Sequence, residues 1–506
     1  AVFIVGFSTF GQNCQLTLSG KIQDFHNGEP IVNATVHNKT TNTYTSTNFE
    51  GEFTFENLCK GEVTLTISHI GCVTKTTTIY MLSNEFKAIT LEHHLEELNE
   101  IVVAATKLKT EQTSIEQLVS KTVVDDYSDK SLGDALNTVS GVSSLNTGNT
   151  IVKPMIHGLH SSRILIINNN VRMYDQEWGD EHAPNIDINS SGRITVIKGA
   201  NTLRYGSDAI GGLILIRPKD YEVKDSLFGN SSLSLNTNGW GGNINSELTK
   251  TYESGFYTSA QASYKVFGDF KAADYHLSNT GIKSINASAR VGYKTFEKGF
   301  DAYYSYVNNT LGILRASHIG NTNDLVTAIN SGEPQYIDDF SYKINDPKQE
   351  IIHHLAKVEG YKRFKRLGKL TVQYDFQINK RKEYDLRRGD SKDTPVVDLR
   401  LFTTSLQPNL RIDTFDKLSI DTGILFRYQQ NDAISGTGTS PLIPDYDKYD
   451  AGAYATGNYN LSQNASISAG FRYDFSRIEA EKKYRVTDWY DTYNYDELFP
   501  EFETDI

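Results

Sequence analysis

The stretch that decides the fold is residues 370–378, LTVQYDFQI, in which apolar and polar residues alternate strictly. Because successive side chains of a β-strand point to opposite faces, one face would carry Leu370, Val372, Tyr374, Phe376 and Ile378, and the other Thr371, Gln373, Asp375 and Gln377. The same alternation occurs at 285–294 (INASARVGYK) and 466–475 (SISAGFRYDF). The polar face carries Arg, Lys and Asp, and the strands are longer than the average of about 5–6 residues.

Working outward from this stretch, the chain beyond residue 220 contains about eleven such strands. We predict them near 229–237, 243–252, 256–267, 284–295, 300–309, 350–363, 369–382, 398–412, 418–430, 450–461 and 465–477. The links after even-numbered strands are tight, and those after odd-numbered strands are mostly long, the first hairpin excepted. Sorting of loop length by strand parity is typical of an outer-membrane β-barrel.

Composition excludes several classes of protein. The 506 residues hold 50 Lys and Arg against 62 Asp and Glu, a net charge of −12 that argues against nucleic-acid binding. Hydrophobic residues make up 38%, and no stretch approaches the ~20 apolar residues of a spanning helix. The 29 Tyr and 24 Phe favour a large, mainly β protein.

The chain begins with AVFIVGFSTFGQNC, which reads as the remnant of a secretory signal peptide over 1–14; a first buried strand is the alternative. Lipidation of Cys14 is disfavoured by Asn13. Cys59 and Cys72 lie near the ends of neighbouring strand-like runs. A disulfide between them is possible in an oxidising compartment, but we expect two buried thiols.

Two further units precede the barrel strands. Residues 15–92 contain short alternating runs separated by turn signals such as Asn-Gly at 27–28, which predicts a β-sandwich. Residues 107–220 mix a short amphipathic helix, marked by Leu132, Ala135, Leu136 and Val139, with strands. The runs RILIINNNVRM and GGLILIRP are almost continuously apolar, so we expect an α+β unit whose strands are buried on both faces.

A linker at 93–106 (HHLEELNEIVVAATK, with Lys107) joins these units, and its apolar centre has two interpretations. Residues 101–105 would be an ordinary edge strand, or a segment that another protein captures by strand addition. The residues alone do not decide between them.

This order of units resembles that of the TonB-dependent outer-membrane receptors, in particular Bacteroidetes-type members with an N-terminal carboxypeptidase regulatory-like domain. The motifs that carry the resemblance are SLGDALNTVSGVSS, RILIINNNV and GRITVIKGANTLRYGSDAIGGLILI at 192–216. Glycines allow the close turns of the last segment: Gly199, Gly206, Gly211 and Gly212. His157 departs from the family, which more often has Arg there.

The resemblance implies a plug domain at 107–220 and a partial transmembrane barrel at 221–506. It implies that TonB captures a TonB box formed by Asn99, Glu100, Ile101, Val102, Val103 and Ala104. It also implies contact with outer-membrane lipid in a Gram-negative cell, with the plug and N-terminal domain reaching the periplasm. Family members have 22 strands, so we expect an N-terminal portion of a longer protein; a complete half-size barrel is the weaker alternative.

The candidate ligand site lies in residues 155–184, which hold three imidazoles and four carboxylates close together. The candidate residues, which the resemblance places at the plug apex, are His157, His160, Tyr174, Asp175, Glu177, Trp178, Asp180, Glu181 and His182. Imidazole and carboxylate suit transition metals, although the spacing matches no known metal site. Hydrogen bonding to the barrel wall and contact with a ligand are the other two interpretations.

We therefore expect that the protein is not an enzyme and uses no cofactor, since the sequence contains no G-x-S-x-G elbow and no P-loop. The function we expect is import of a scarce ligand, first an iron-siderophore or metal chelate. The alternatives are a glycan importer that works with a surface lipoprotein, a receptor for free zinc or copper, and a secreted β-rich adhesin.

Overall fold

The computed structural model describes residues 14–25, 30–69, 72–91, 114–147, 151–175, 179, 182–221, 223–317, 322–364, 367–387, 389, 393–413, 415, 418–462 and 465–481. Within these ranges the chain forms a small sandwich, an α+β unit and one large antiparallel sheet. This is the mainly β architecture that the sequence predicts.

The first unit is a two-sheet sandwich. Its strands are β1 (Leu16–Asp24), β2 (Thr35–Asn38), β3 (Thr43–Ser46), β4 (Glu52–Leu58), β5 (Gly61–Ser68), β6 (Lys75–Met81) and β7 (Glu85–Leu91). One sheet has the order β4-β1-β7 and the other β3-β2-β5-β6. Their alternating apolar residues meet in a core that includes Leu18, Ile22, Val36, Leu65 and Ile67. The first and last strands pair in parallel.

The expectation that Cys59 is a buried thiol is wrong. Cys59 follows β4 and forms a disulfide with Cys14, which precedes β1. The two residues come together because β1 and β4 pair antiparallel with Leu16 opposite Leu58. Cys72 lies outside this disulfide, with its Sγ 3.4 Å from Nδ1 of His69.

The second unit, called the plug unit below, has a mixed sheet with the order β12-β11-β14-β13-β8 and a separate hairpin of β9 and β10. Its elements are β8 (Ser114–Val119), α1 (Lys121–Asp126), α2 (Leu132–Leu136), β9 (Val142–Thr147), β10 (Ile151–Ile156), β11 (Ile164–Asn168), β12 (Val171–Arg172), β13 (Arg193–Gly199) and β14 (Gly212–Arg217). Short 3-10 helices occupy Ser161–Arg163, Ile188–Ser190 and Ala200–Tyr205. As predicted, β11 and β14 are buried on both faces.

Local chemistry explains two features of the plug unit. Ser131 and Asp134 form a reciprocal capping box that begins α2, since each side chain accepts a hydrogen bond from the other residue's backbone N–H. Gly212 has a φ of +138°, and a Cβ there would lie 2.9 Å from the carbonyl oxygen of Ile197. Only glycine allows this close start of β14.

The third unit is an eleven-stranded antiparallel sheet within the described ranges. In sheet order its strands are β15 (Ser226–Asn236), β16 (Gly241–Thr251), β17 (Phe256–Phe267), β20 (Ile282–Lys294), β21 (Lys298–Gly312), β22 (Lys348–Phe364), β23 (Gly368–Tyr384), β24 (Val397–Ile412), β25 (Leu418–Ala433), β26 (Asp445–Ser462) and β27 (Ala465–Glu481). The predicted number of strands, their order and the alternation of short and long links between them are confirmed. The long links carry β18 (Phe270–Lys271) with β19 (His276–Leu277), a 3-10 helix at Arg315–Ser317, and α3 (Thr322–Ser331).

The large sheet reverses the burial pattern of a soluble protein. In β23 the polar residues Gln373, Asp375, Gln377, Asn379 and Arg381 are buried, whereas Val372 and Tyr374 on the opposite face are 41% and 51% exposed. We call the polar, buried face the inner face. The inner face packs against the plug unit. Its polar side chains can be buried because they form hydrogen bonds with polar groups of the plug unit.

No helix in the described ranges is both long and apolar enough to cross a membrane.

The disulfide leads to a stability prediction. Replacing Cys59 with Ser should destabilise the sandwich by about 3–4 kcal/mol, because the crosslink closes a loop of 45 residues in the unfolded chain. The measurement is hydrogen exchange of β1 and β4 in the full chain. Cys72→Ser is the matched control. Equal protection in both variants would contradict the prediction.

Candidate functional site

A tight hairpin of the plug unit ends against the inner face. Asn169 and Asn170 both have positive φ, 51° and 65°, as a two-residue turn between β11 and β12 requires. The Gln373 amide donates to the Asn170 carbonyl oxygen (3.0 Å), and Arg290 donates to the Asn169 side chain. Gln377 donates to the backbone carbonyl of Arg172 (2.9 Å). Thus β20 and β23 hold the turn and the strand that follows it.

Asp175 is the centre of the next contact. It has a φ of 86°, uncommon for a residue with a side chain, and it is only 2% exposed. One carboxylate oxygen accepts hydrogen bonds from Arg381 (2.9 Å), Asn379 (2.8 Å) and Asn185 (2.9 Å). Arg381 is itself fully buried. The pair is an ion pair between plug and sheet, closed off from water.

His182 extends this contact toward the end of β23. Its Nε2 lies 2.9 Å from a carboxylate oxygen of Glu383, and its Nδ1 lies 3.3 Å from the Asp175 carbonyl oxygen. Gln349 on β22 accepts from Arg381 (3.1 Å) and donates to Glu383 (3.3 Å). We call the set Asp175, His182, Gln349, Arg381 and Glu383 the buried network.

Tyr174 lies between two guanidinium groups. The Arg172 guanidinium is 4.9 Å and that of Arg427 is 5.0 Å from the centre of its ring. Arg172 also forms an ion pair of 2.8 Å with Asp208. Burial alone would raise the pKa of Asp208, but the positive charge of Arg172 holds it below its ordinary value.

The structure divides the predicted apex residues between two places. Asp175 and His182 contact β23, and Tyr174 lies beside them. His157 and His160 instead lie at the turn after β10, where the His157 amide donates to the Gly141 carbonyl oxygen and His160 Nδ1 lies 2.8 Å from Ser161 Oγ. Four further candidates and the whole predicted TonB box lie outside the described residues: Glu177, Trp178, Asp180, Glu181, Asn99, Glu100, Ile101, Val102, Val103 and Ala104.

In the described part of the chain, no group of three or more His, Cys, Asp or Glu side chains is arranged to hold a metal ion. The histidine and carboxylate pairs there make hydrogen bonds within the protein. Asp175 and His182 bond to side chains of β23. These contacts agree with the interpretation that residues 155–184 form hydrogen bonds to the barrel wall.

Sequence reasoning missed the partners on the sheet. Asn379, Arg381 and Glu383 occupy every second position of β23, continuing the polar face of 370–378. Extending that alternation would have identified them. A similar contact further along joins Asp187 to Gln261 (2.9 Å) and Ser263 (2.7 Å).

The ion pair leads to a second prediction. Arg381→Met should destabilise the contact between plug and sheet by about 3–5 kcal/mol, because it leaves the Asp175 carboxylate buried without its counter-charge. Hydrogen exchange at residues 171–175 and 182–189 measures the change. The double variant Asp175→Asn with Arg381→Met should recover part of the loss.

Lys380→Met is the matched control, since the exposed Lys380 is adjacent to Arg381 on the same strand. It should leave exchange unchanged. Equal changes in hydrogen exchange in the two methionine variants would show that the buried ion pair stabilises the contact no more than an exposed lysine does.

Comparison with known families identifies two segments of the chain. Residues 108–213 match the TonB-dependent Receptor Plug Domain, and residues 18–103 match the CarboxypepD_reg-like domain. Over 100 residues the chain is 30% identical to the Vitamin B12 transporter BtuB of Photobacterium profundum, and this match covers 20% of this chain and 16% of that protein.

Solved structures with a similar fold cover more of the chain. The Copper transporter OprC is 14% identical with a TM-score of 0.56 and covers 74% of this chain. The Ferric-Catecholate import receptor Fiu from E. coli K12, in its open form, is 14% identical with a TM-score of 0.57 and covers 73%. This chain spans 58% and 60% of those two chains. The family matches and the shared fold agree: the chain carries a plug domain of the TonB-dependent receptor type, preceded by a carboxypeptidase regulatory-like domain.

Proposed function

We propose that this receptor is an outer-membrane transporter that imports a scarce ligand with energy supplied through TonB. The observation that carries the proposal is the contact between the plug unit and the inner face. A transporter of this kind must close its pore with a plug that can be released. Contacts made of hydrogen bonds and ion pairs can be exchanged for water, whereas a packed apolar core cannot be opened so cheaply.

The opposite face of the large sheet supports a location in lipid. It exposes large apolar side chains along many strands, including Leu233, Leu235, Ile244, Leu248, Val372, Tyr374, Phe471, Tyr473 and Phe475. Exposed apolar surface on this scale is costly in water and favourable in a bilayer. The short links would then face the periplasm and the long links the outside.

The first cargo we propose is an iron-siderophore or another metal chelate. Proteins with this fold include ones named as a copper transporter, a ferric-catecholate import receptor and a ferric citrate transporter. The cargo would bind on the side of the long links, where Asp175 and His182 contact β23. A ligand that displaced either side chain would loosen the buried network.

Coupling to TonB is proposed to use residues 99–104. An extended apolar segment can add as a strand to the sheet edge of a partner through backbone hydrogen bonds. The segment directly precedes the plug unit, so a pull on it reaches the plug first. The sandwich and plug units would then lie toward the periplasm.

Strand capture by TonB leads to the third prediction. In the full-length receptor, Val102→Pro should reduce cargo uptake to background, because proline removes a backbone donor and disfavours strand pairing. Uptake is measured in whole cells with an iron-55 chelate, and binding is measured separately at 0 °C. Binding should be unchanged.

Val102→Ile is the control, since it keeps both the backbone donor and the β-branched side chain. Normal uptake by the proline variant would contradict energy coupling through this segment. Loss of both uptake and binding would instead indicate misfolding.

A further inference from the structure

The sandwich contacts the large sheet at the end of β1. Phe25, the residue that follows β1, is only 7% exposed, yet it is not among the side chains of the sandwich core. Its ring meets that of Phe296 edge to face, with the ring centroids 4.8 Å apart and the ring planes at 82°. Aromatic pairs favour this geometry, because the positive edge of one ring faces the negative face of the other. The contact joins the first unit of the chain to the third.

Phe296 lies in a firmly held turn between β20 and β21. On one side of it, the Thr295 amide donates to the Lys298 carbonyl oxygen (3.1 Å). On the other side, the Arg363 amide near the end of β22 donates to the Glu297 carbonyl oxygen (2.7 Å). The turn is therefore ordered by the sheet itself, so the sandwich gains a contact there without the cost of ordering a loop.

The side chain of Arg363 supports the ring of Phe296. Its guanidinium lies 4.6 Å from the centre of that ring, an attractive cation–π contact. The same guanidinium forms an ion pair of 2.9 Å with Asp413, in the short link between β24 and β25. We call the set Phe296, Arg363 and Asp413 the docking surface. It lies on the rim of short links, which faces the periplasm on the proposed function.

Phe25 is also tied to the chain that leads to the plug unit. Its amide donates to the carbonyl oxygen of Leu91 (2.9 Å), the last residue of β7. From Leu91 the chain continues through residues 99–104 to Ser114, where β8 begins. A pull on the chain beyond Leu91 therefore acts, through one backbone hydrogen bond, on the residue that contacts the docking surface.

We propose that the sandwich docks on this surface through Phe25 and is a releasable anchor for the chain that leads to the plug. The inference rests on the proposed function and deepens it. A pull at residues 99–104 acts in both directions along the chain, so it is shared between the docked sandwich and β8. The docking contact rests on an aromatic pair, whereas six residues of β8 pair with β13. The sandwich therefore separates first, and the full load then reaches the plug.

Photo-crosslinking in cells tests whether the sandwich docks. In the full-length receptor, p-benzoylphenylalanine replaces Phe25, which keeps an aromatic ring there, and mass spectrometry maps the residues that it joins. We expect joining to residues 295–297 at least tenfold more often than from the same group at Phe86. Phe86 is the matched control, since it is a phenylalanine of the same unit and is 60% exposed on β7. Equal yields from the two positions would overturn the docking.

A second measurement leaves Phe25 in place. Spin labels at Glu56→Cys and Glu253→Cys, in a Cys72→Ser background, report the distance between the sandwich and the rim of short links; both glutamates are exposed. Phe296→Ala should widen the distance distribution at least twofold. Phe415→Ala is the control, because Phe415 is 59% exposed in another short link, and it should leave the width unchanged. A distribution that is equally wide with and without the Phe296 ring would contradict the docking.

Uptake of an iron-55 chelate tests the release. After illumination of the Phe25 variant, uptake should fall by the same fraction as the receptor that is joined, because a covalent anchor cannot separate. Chelate binding at 0 °C should stay the same, and the illuminated Phe86 variant should keep its uptake. Full uptake by receptor whose sandwich is joined to the rim would overturn the releasable anchor.

These outcomes are separable from failure of the proposed function. Crosslinking and the spin-label distance need neither cargo nor TonB, so they decide the docking by themselves. Normal uptake by Val102→Pro would remove energy coupling and leave both of those results standing.

Discussion

A polar face that is buried must find polar partners, and this requirement organises the molecule. Asp175 and Arg381 fulfil this requirement most completely, since both are buried and their opposite charges form an ion pair. Burying two charges is expensive, and the cost is offset only by good geometry and further hydrogen bonds, here from Asn185 and Asn379. Such a contact contributes specificity of position more than net stability. It defines where residues 171–175 and 182–187 lie against β22 and β23.

Much of the fold could be predicted from the sequence because the signals are local. Period-two alternation, turn residues and link lengths depend on neighbours along the chain, so all eleven strands of the large sheet were predicted near their positions. The continuous apolar runs of β11 and β14 likewise predicted burial on both faces. The short α1 was not predicted, because its sequence KTVVDD has no apolar periodicity over more than one turn.

The site was harder because its partners are distant in the chain. Asp175 and Arg381 are separated by 206 residues, and nothing in either segment indicates the other. Residues 155–184 suggested one cluster of imidazoles and carboxylates, but the turn after β10 takes His157 and His160 away from Asp175 and His182. The prediction for Cys59 was wrong for the same reason. Cys14 becomes a neighbour of Cys59 only through the pairing of β1 with β4, which composition and spacing do not reveal.

The edge position of β8 has a mechanical consequence. β8 is the first described element after the linker, and among the described strands it pairs only with β13, along Ser114–Val119. Tension that enters the plug from residue 113 would therefore load one ladder of backbone hydrogen bonds. The apolar strands β11, β13 and β14 would stay packed while that ladder tears. The plug could thus yield in steps, shedding its outermost strand first at a modest force and keeping its core intact.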